Sequence, residues 1–168
     1  DLLDTFQQRF GVHTLIECYG MTEIPGVLSN PFLGPHKLGS MGCISPHPDP
    51  AIPRPEVRIL NADGQDAAVG EVGEIVHRSP HLMLGYFHDD ERTQASFEGD
   101  WFHSGDLGII DDEGYITVVD RKKDMIKSGG ENVASREVEE MIYRLPQVSE
   151  VAVIGLPDPK WVEAVTAV

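Results

Sequence analysis

GYITVVDRKKDMIKSGGEN, residues 114–132, changes character in its middle and sets how the rest of the chain is read. Tyr115 to Val119 alternate and carry β-branched residues, the pattern of a strand. Asp120, Arg121, Lys122, Lys123 and Asp124 then form an unbroken charged run that a buried strand is not expected to contain. Met125 and Ile126 resume an apolar pair, and Lys127, Ser128, Gly129 and Gly130 follow as a loop whose glycines permit positive φ and close approach by a ligand. Strand, charged break, short strand and glycine loop together read as a connector between two bodies. Taken alone, the stretch equally describes a solvated hairpin with a charged tip.

Composition bounds what such a connector serves. The 168 residues are 40% apolar, enough to bury one core, or one core and a small satellite. Thirteen basic residues against 28 acidic ones give a formal charge of −15, which repels nucleic acid and anionic membrane at long range. Yet Arg121, Lys122, Lys123 and Lys127 fall within seven positions, so an acidic chain gathers its cations where a small anion would be handled. Cys18 and Cys43 have neither CxxC spacing nor the density of a secreted disulfide scaffold. With no targeting segment and no apolar run of spanning length, a cytoplasmic setting is expected. The chain opens without Met in a helical pattern (Leu2, Leu3, Phe6, with Gly11 as its C-cap) and stops in an apolar run, Ala164 to Val168, so it is expected to be a piece of something longer.

From the start, Val12 to Cys18 reads as a buried strand that delivers Tyr19, Gly20, Met21, Thr22 and Glu23. An aromatic, a glycine, a hydroxyl and a carboxylate in this order can stack on a flat ring, bring backbone close, donate to an anionic oxygen and hold a hard cation, though Thr22 and Glu23 also suit a plain helix start. Residues 25–55 hold eight of the twelve prolines and read as a meandering surface segment. Glu56 to Asn61 and Gly73 to Arg78 read as antiparallel partners, Leu82 to Phe87 as core or loop anchors, and Asp89 to Phe97 as a short helix. Trp101 to Ile110 and the strand after Gly114 make a hairpin around the solvated turn Asp111, Asp112, Glu113. Within it, Asp106 sits between Gly105 and Gly108, where a carboxylate can pair with a sugar diol or close an ordinary Asx turn. Ser135 is expected to cap a helix with Val138, Met141, Ile142 and Leu145 on one face, ended by Pro146. Val148 to Leu156 reads as a strand. His77 and His81 are four apart, but Pro80 and a strand pattern deny them one helix face, and no metal is assigned to the histidines.

Four motifs stand in one order: YGMTE at 19–23, GEIVHRSPHLMLGY at 73–86, WFHSGDLG at 101–108, and GYITVVDRKKDMIKSGGENVASREVEE at 114–140. Together they resemble the acyl-adenylate-forming superfamily, in its acyl-CoA synthetase (fatty acid CoA ligase) branch. PDPKWVEAV at 157–165 fits as well, with Val162 where that family usually has Gly. The resemblance implies an α+β fold: residues 1–120 closing a large AMP-binding domain with an antiparallel, barrel-like subdomain, 121–124 as a hinge, and 125–168 starting a small α+β C-terminal domain. It also implies that a carboxylic acid attacks the α-phosphate of ATP to give acyl-AMP and pyrophosphate, after which the thiol of coenzyme A displaces AMP.

By position in the resembled motifs, Tyr19 would stack on adenine, Gly20 would line the space near the acyl carboxylate, Thr22 would hold the α-phosphate and Glu23 would ligate Mg²⁺. Asp106 would accept both ribose hydroxyls with Arg121 assisting, and Lys123 would be the hinge of the swinging small domain. Lys127, Gly129 and Gly130 would face the site during thioester formation. The resembled phosphate loop would precede residue 1 and the adenylating lysine would follow Val168, so the isolated chain is expected to be inactive. Other readings are an adenylation domain loading a carrier protein, an aryl-acid CoA ligase, or a non-catalytic nucleotide-binding scaffold.

Overall fold

The computed structural model describes residues 2–12, 16–31, 36–44, 49 and 51–168, the first three as backbone. Part of the run expected as a strand at Val12 to Cys18, and Pro46, Pro48 and Pro50, lie outside the described residues. In chain order the elements are α1 (Leu2–Phe10), β1 (Cys18–Met21), β2 (Ile24–Ser29), β3 (Cys43–Ile44), β4 (Glu56–Leu60), β5 (Gly73–Arg78), α2 (Asp90–Ala95), β6 (Phe97–Glu98), β7 (Trp101–Ile110), β8 (Ile116–Arg121), β9 (Ile126–Ser128), β10 (Glu131–Val133), α3 (Ser135–Ile142), β11 (Val153–Asp158) and β12 (Val162–Ala167). The class is α+β. All its strand pairs are antiparallel, in sheets ordered β1-β2-β3, β4-β5-β7-β6 with β8 on β7, and β10-β9-β12-β11. None of these sheets closes into a barrel among the described residues.

The core joins the first two sheets: Tyr19, Ile24, Val27 and Leu28 pack with Ile59, Ile75 and Ile116. Val27 and Leu28 are adjacent and both buried, so β2 is covered on both faces. Burying side chains of this size contributes about 1.5–3 kcal/mol each. This corrects the expectation of a surface meander after residue 25. Pro25 and Gly26 look like strand breakers, but they fall where the β1–β2 ladder is irregular, so the missing proline N–H leaves no ladder bond unmade. The same irregularity explains Gly20, where a Cβ would stand 2.3 Å from the Gly26 backbone nitrogen.

Further boundaries differ from expectation. The first strand begins at Cys18, which is exposed, not at Val12. Strand β8 runs into the charged run and includes Asp120 and Arg121, with Asp120 buried. Ser135 does not cap α3: Ala134 occupies the N-cap, and the Ser135 hydroxyl instead donates to Asp120 Oδ2 at 3.0 Å. Asp120 also accepts from the Arg121 and Arg136 backbone nitrogens at 2.8 and 3.5 Å. A carboxylate answered by three donors can be buried, and this one ties β8 to the start of α3. Helix α3 ends at Ile142, before Leu145, and the strand expected over Val148 to Leu156 instead spans Val153 to Asp158 as β11.

The hairpin of β9 and β10 pairs Ser128 with Glu131, leaving Gly129 and Gly130 as a two-residue turn with φ of 63° and 91°. Positive φ at both central positions is what a type I′ hairpin demands. Behind it, Gly129 N donates to the Trp161 carbonyl at 2.8 Å. Val162, next in the chain, holds φ at 71°, a conformation that strains a β-branched residue.

Candidate functional site

Residues Thr22 and Glu23 are the two turn residues between β1 and β2, since Met21 pairs with Ile24. They line a cleft of about 490 Å³ together with Glu74, Tyr86, Arg92, His103 and Arg121. Asp106 and Arg121 are direct cross-strand partners in β7 and β8, the placement in which opposite charges attract, and Arg121 Nε donates to Asp106 Oδ1 at 3.2 Å. From the first sheet, the Tyr19 hydroxyl donates to the other oxygen, Asp106 Oδ2, at 2.7 Å. The two sheets thus meet at one carboxylate, itself only 9% exposed.

The Tyr19 ring is also 9% exposed and lies nearly parallel to His77, with centroids 5.9 Å apart. Burial, and then the bond to the Asp106 carboxylate, push the Tyr19 hydroxyl well above the ordinary phenol value, so it stays a donor. His77 is 0% exposed, and neither ring nitrogen has a hydrogen-bond partner among the described residues. Desolvation pushes it down to about 4 against the pull of Asp106, which keeps the ring neutral.

A second carboxylate, Glu74, anchors the entrance. It accepts from Lys122 Nζ at 2.8 Å and from Gly105 N at 3.2 Å, and it meets His103 Nδ1 at 3.1 Å. Burial works to raise this carboxyl, but the bonds from Lys122 and His103 outweigh it and leave Glu74 below the ordinary glutamate value. The chain on the body side of the expected hinge is therefore held by an ion pair, while Lys123 borders a smaller hollow of about 300 Å³ with Gly105, Arg121 and Lys122.

Of the residues singled out from the sequence, the structure brings together Tyr19, Asp106 and Arg121 by direct bonds, and Thr22, Glu23 and Arg121 in one cleft. Gly20 sits two positions before that turn with its α-carbon against β2. Lys127, Gly129 and Gly130 belong to the third sheet and do not line the cleft. Sequence reasoning missed Glu74, Tyr86, Arg92 and His103. Only Glu74, a carboxylate inside an apolar strand, carried a local signal.

Comparison with known proteins gives the class first. The family model for "AMP-binding enzyme" matches residues 1–87, and that for "AMP-binding enzyme C-terminal domain" matches residues 137–168. The chain belongs to the AMP-binding enzyme family. It is 44% identical over 155 residues to a feruloyl-CoA synthase of Amycolatopsis sp, covering 91% of this chain and 30% of that protein. It is 43% identical over 158 residues to a long-chain-fatty-acid–CoA ligase of Mycobacterium tuberculosis, covering 92% and 29%. The o-succinylbenzoate CoA synthetase of Bacillus subtilis, solved with the acyl-adenylate OSB-AMP, superposes with a TM-score of 0.82 at 36% identity, over 99% of this chain and 33% of that one. The chain thus spans about 30% of the length of the curated relatives it matches. Among the described residues no helix is long and apolar enough to cross a membrane.

Proposed function

We propose that the full-length protein carrying this chain is an AMP-forming acid–CoA ligase, and that these residues supply its ribose, adenine and α-phosphate contacts. The observation that carries the reading is the meeting of Tyr19 and Arg121 on the two oxygens of Asp106, beside the cleft of Thr22 and Glu23. Asp106 already receives one donor on each oxygen, the arrangement two ribose hydroxyls would adopt. Nucleotide entry exchanges the Tyr19 hydroxyl for a sugar hydroxyl and frees the tyrosine ring for the base. Thr22 is exposed at the turn, so its hydroxyl can donate to an α-phosphate oxygen as the carboxylic acid attacks and pyrophosphate leaves, with Arg121 adding positive charge.

Glu23 is a hard oxygen donor in the cleft. That suits Mg²⁺, which is held by one or two carboxylates and completed by phosphate oxygens and water. Bound there, the ion would neutralise phosphate charge.

In the same reading residues 1–120 close the large domain, 121–124 swivel about Lys123, and 125–168 begin the small one. The two family models stop and start on either side of that segment, at 87 and 137, which supports the division. Lys127, Gly129 and Gly130, now away from the cleft, would reach it after the swing, when the coenzyme A thiol displaces AMP.

The acid is proposed to be a fatty acid. A second reading, an aryl acid, is favoured by the 44% identity to a feruloyl-CoA synthase. Full-length protein with ATP, coenzyme A and a panel of fatty and aryl acids decides between them through AMP and acyl-CoA release. A carrier-protein acceptor is tested by replacing coenzyme A. Absence of AMP release with every acid and acceptor contradicts the ligase reading.

A further inference from the structure

We propose that Tyr86 is a positioning residue for Glu23, and that Arg92 holds the Tyr86 ring in place, so that this pair sets how tightly the phosphate side of the cleft takes a divalent cation. The inference rests on the reading of Glu23 as the metal-binding carboxylate.

Glu23 is held at both ends by the segment that follows β5. Its carbonyl accepts from Met83 N at 2.8 Å, and its Oε1 accepts from the Tyr86 hydroxyl at 2.8 Å. The other oxygen, Oε2, takes no hydrogen bond among the described residues. The tyrosine is itself fixed: Tyr86 N donates to Thr93 Oγ1 at 2.8 Å, and that hydroxyl donates to the Asp89 carbonyl at 2.8 Å. Asp89 Oδ1 accepts from Arg92 N at 3.0 Å, which starts α2 and directs Arg92 back over the segment. Its guanidinium carbon then lies 3.9 Å from the Tyr86 ring centroid, a close cation–π contact. Gly85 permits the packing, since a Cβ there would stand 3.1 Å from Thr93 Oγ1.

A phenol that donates to one carboxylate oxygen restricts rotation of the whole group and so fixes the direction of the other oxygen. Mg²⁺ demands near-ideal octahedral geometry, so a carboxylate that can rotate binds it less well. Groups that hydrogen-bond a metal-ligating side chain change metal affinity by about 10- to 100-fold when removed. Tyr86 and Arg92 line the cleft together with Thr22 and Arg121, so the effect is delivered where phosphates would lie.

The test uses the full-length protein at saturating ATP, with Mg²⁺ titrated against pyrophosphate release and Mn²⁺ binding followed separately by the loss of the free-ion paramagnetic resonance signal. Tyr86→Phe is expected to raise the Mg²⁺ midpoint and the Mn²⁺ dissociation constant about 10-fold. It should leave KM for the acid unchanged, because the ring and its stack remain. Arg92→Gln is expected to shift both metal readouts about threefold the same way, by loosening the ring. Glu23→Gln is the control that separates the two levels. If it shifts both readouts and Tyr86→Phe shifts neither, the role of Tyr86 is overturned and the reading of Glu23 stands. If Glu23→Gln shifts neither, the metal role of Glu23 falls, and this inference with it.

Discussion

The hydroxyl of Tyr19 and the carboxylate of Asp106 are joined at 2.7 Å across 87 residues of sequence, and that bond pins the first sheet to the second. Both groups are buried, so removing the hydroxyl leaves a desolvated oxygen with one donor fewer. Tyr19→Phe is expected to cost about 1–3 kcal/mol of stability in urea denaturation. In the proposed reading the nucleotide replaces that hydroxyl, so AMP affinity should stay within about threefold, whereas Tyr19→Ala, which deletes the ring, should weaken AMP about 10-fold or more. Equal affinities for the two variants would argue against stacking.

The neutral, partnerless imidazole of His77 makes stability depend on pH. Its value is held down to about 4 in the fold, against an ordinary 6.5, by desolvation. Between those two values the unfolded chain binds a proton that the fold refuses, so stability is full above pH 6.5 and falls as pH drops toward 4. At about 1.4 kcal/mol per pH unit, the loss reaches roughly 3 kcal/mol. Denaturation midpoints measured across this range should show the slope, and His77→Leu should flatten it.

Val162 is 68% exposed at a φ of 71°. Little packing is lost by trimming it, while left-handed backbone costs a non-glycine residue about 1–2 kcal/mol. Val162→Gly is therefore expected to stabilise the fold by about 1 kcal/mol, or about 2–4 °C in a thermal melt. A lower melting temperature would mean that the neighbouring strands relieve the strain already.

What the sequence disclosed follows the reach of each interaction. The β4–β5 and β7–β8 hairpins and a short helix near Asp89 were legible because their signals lie within a few residues: the ADG turn at 62–64, the DDEG turn at 111–114, and the Asp89, Asp90 pair, of which the structure makes Asp89 the cap. The continuation of β8 into charged residues was not, because Asp120 is made tolerable by Ser135 and Arg136, 15 and 16 positions on. Strand β2 hid behind Pro25 and Gly26, whose harmlessness depends on a ladder irregularity set by Gly20. The candidate site followed the same rule. Tyr19 and Asp106 stood out by type and motif, while Tyr86 read as packing because its partner Glu23 is 63 residues away.

The Ser135–Asp120 bond joins β8 to α3, the two sides of the proposed swivel. Ser135→Ala removes a buried donor and is expected to cost about 1–2 kcal/mol. In hydrogen exchange, the amides of the first turn of α3 should lose protection before those of β7 do. Uniform loss across both would show that the bond supports the whole fold.

The most direct test of the account is the affinity of the full-length protein for AMP, measured by calorimetry beside its Asp106→Ala variant, with 2′,3′-dideoxy-AMP as the second ligand. Two hydrogen bonds to a charged group, each worth about 1.5–3 kcal/mol, predict at least a 100-fold loss of AMP affinity in the variant. Dideoxy-AMP should bind both proteins equally weakly. An Asp106→Ala variant that binds AMP as tightly as the unaltered protein would contradict the claim that this carboxylate grips the ribose.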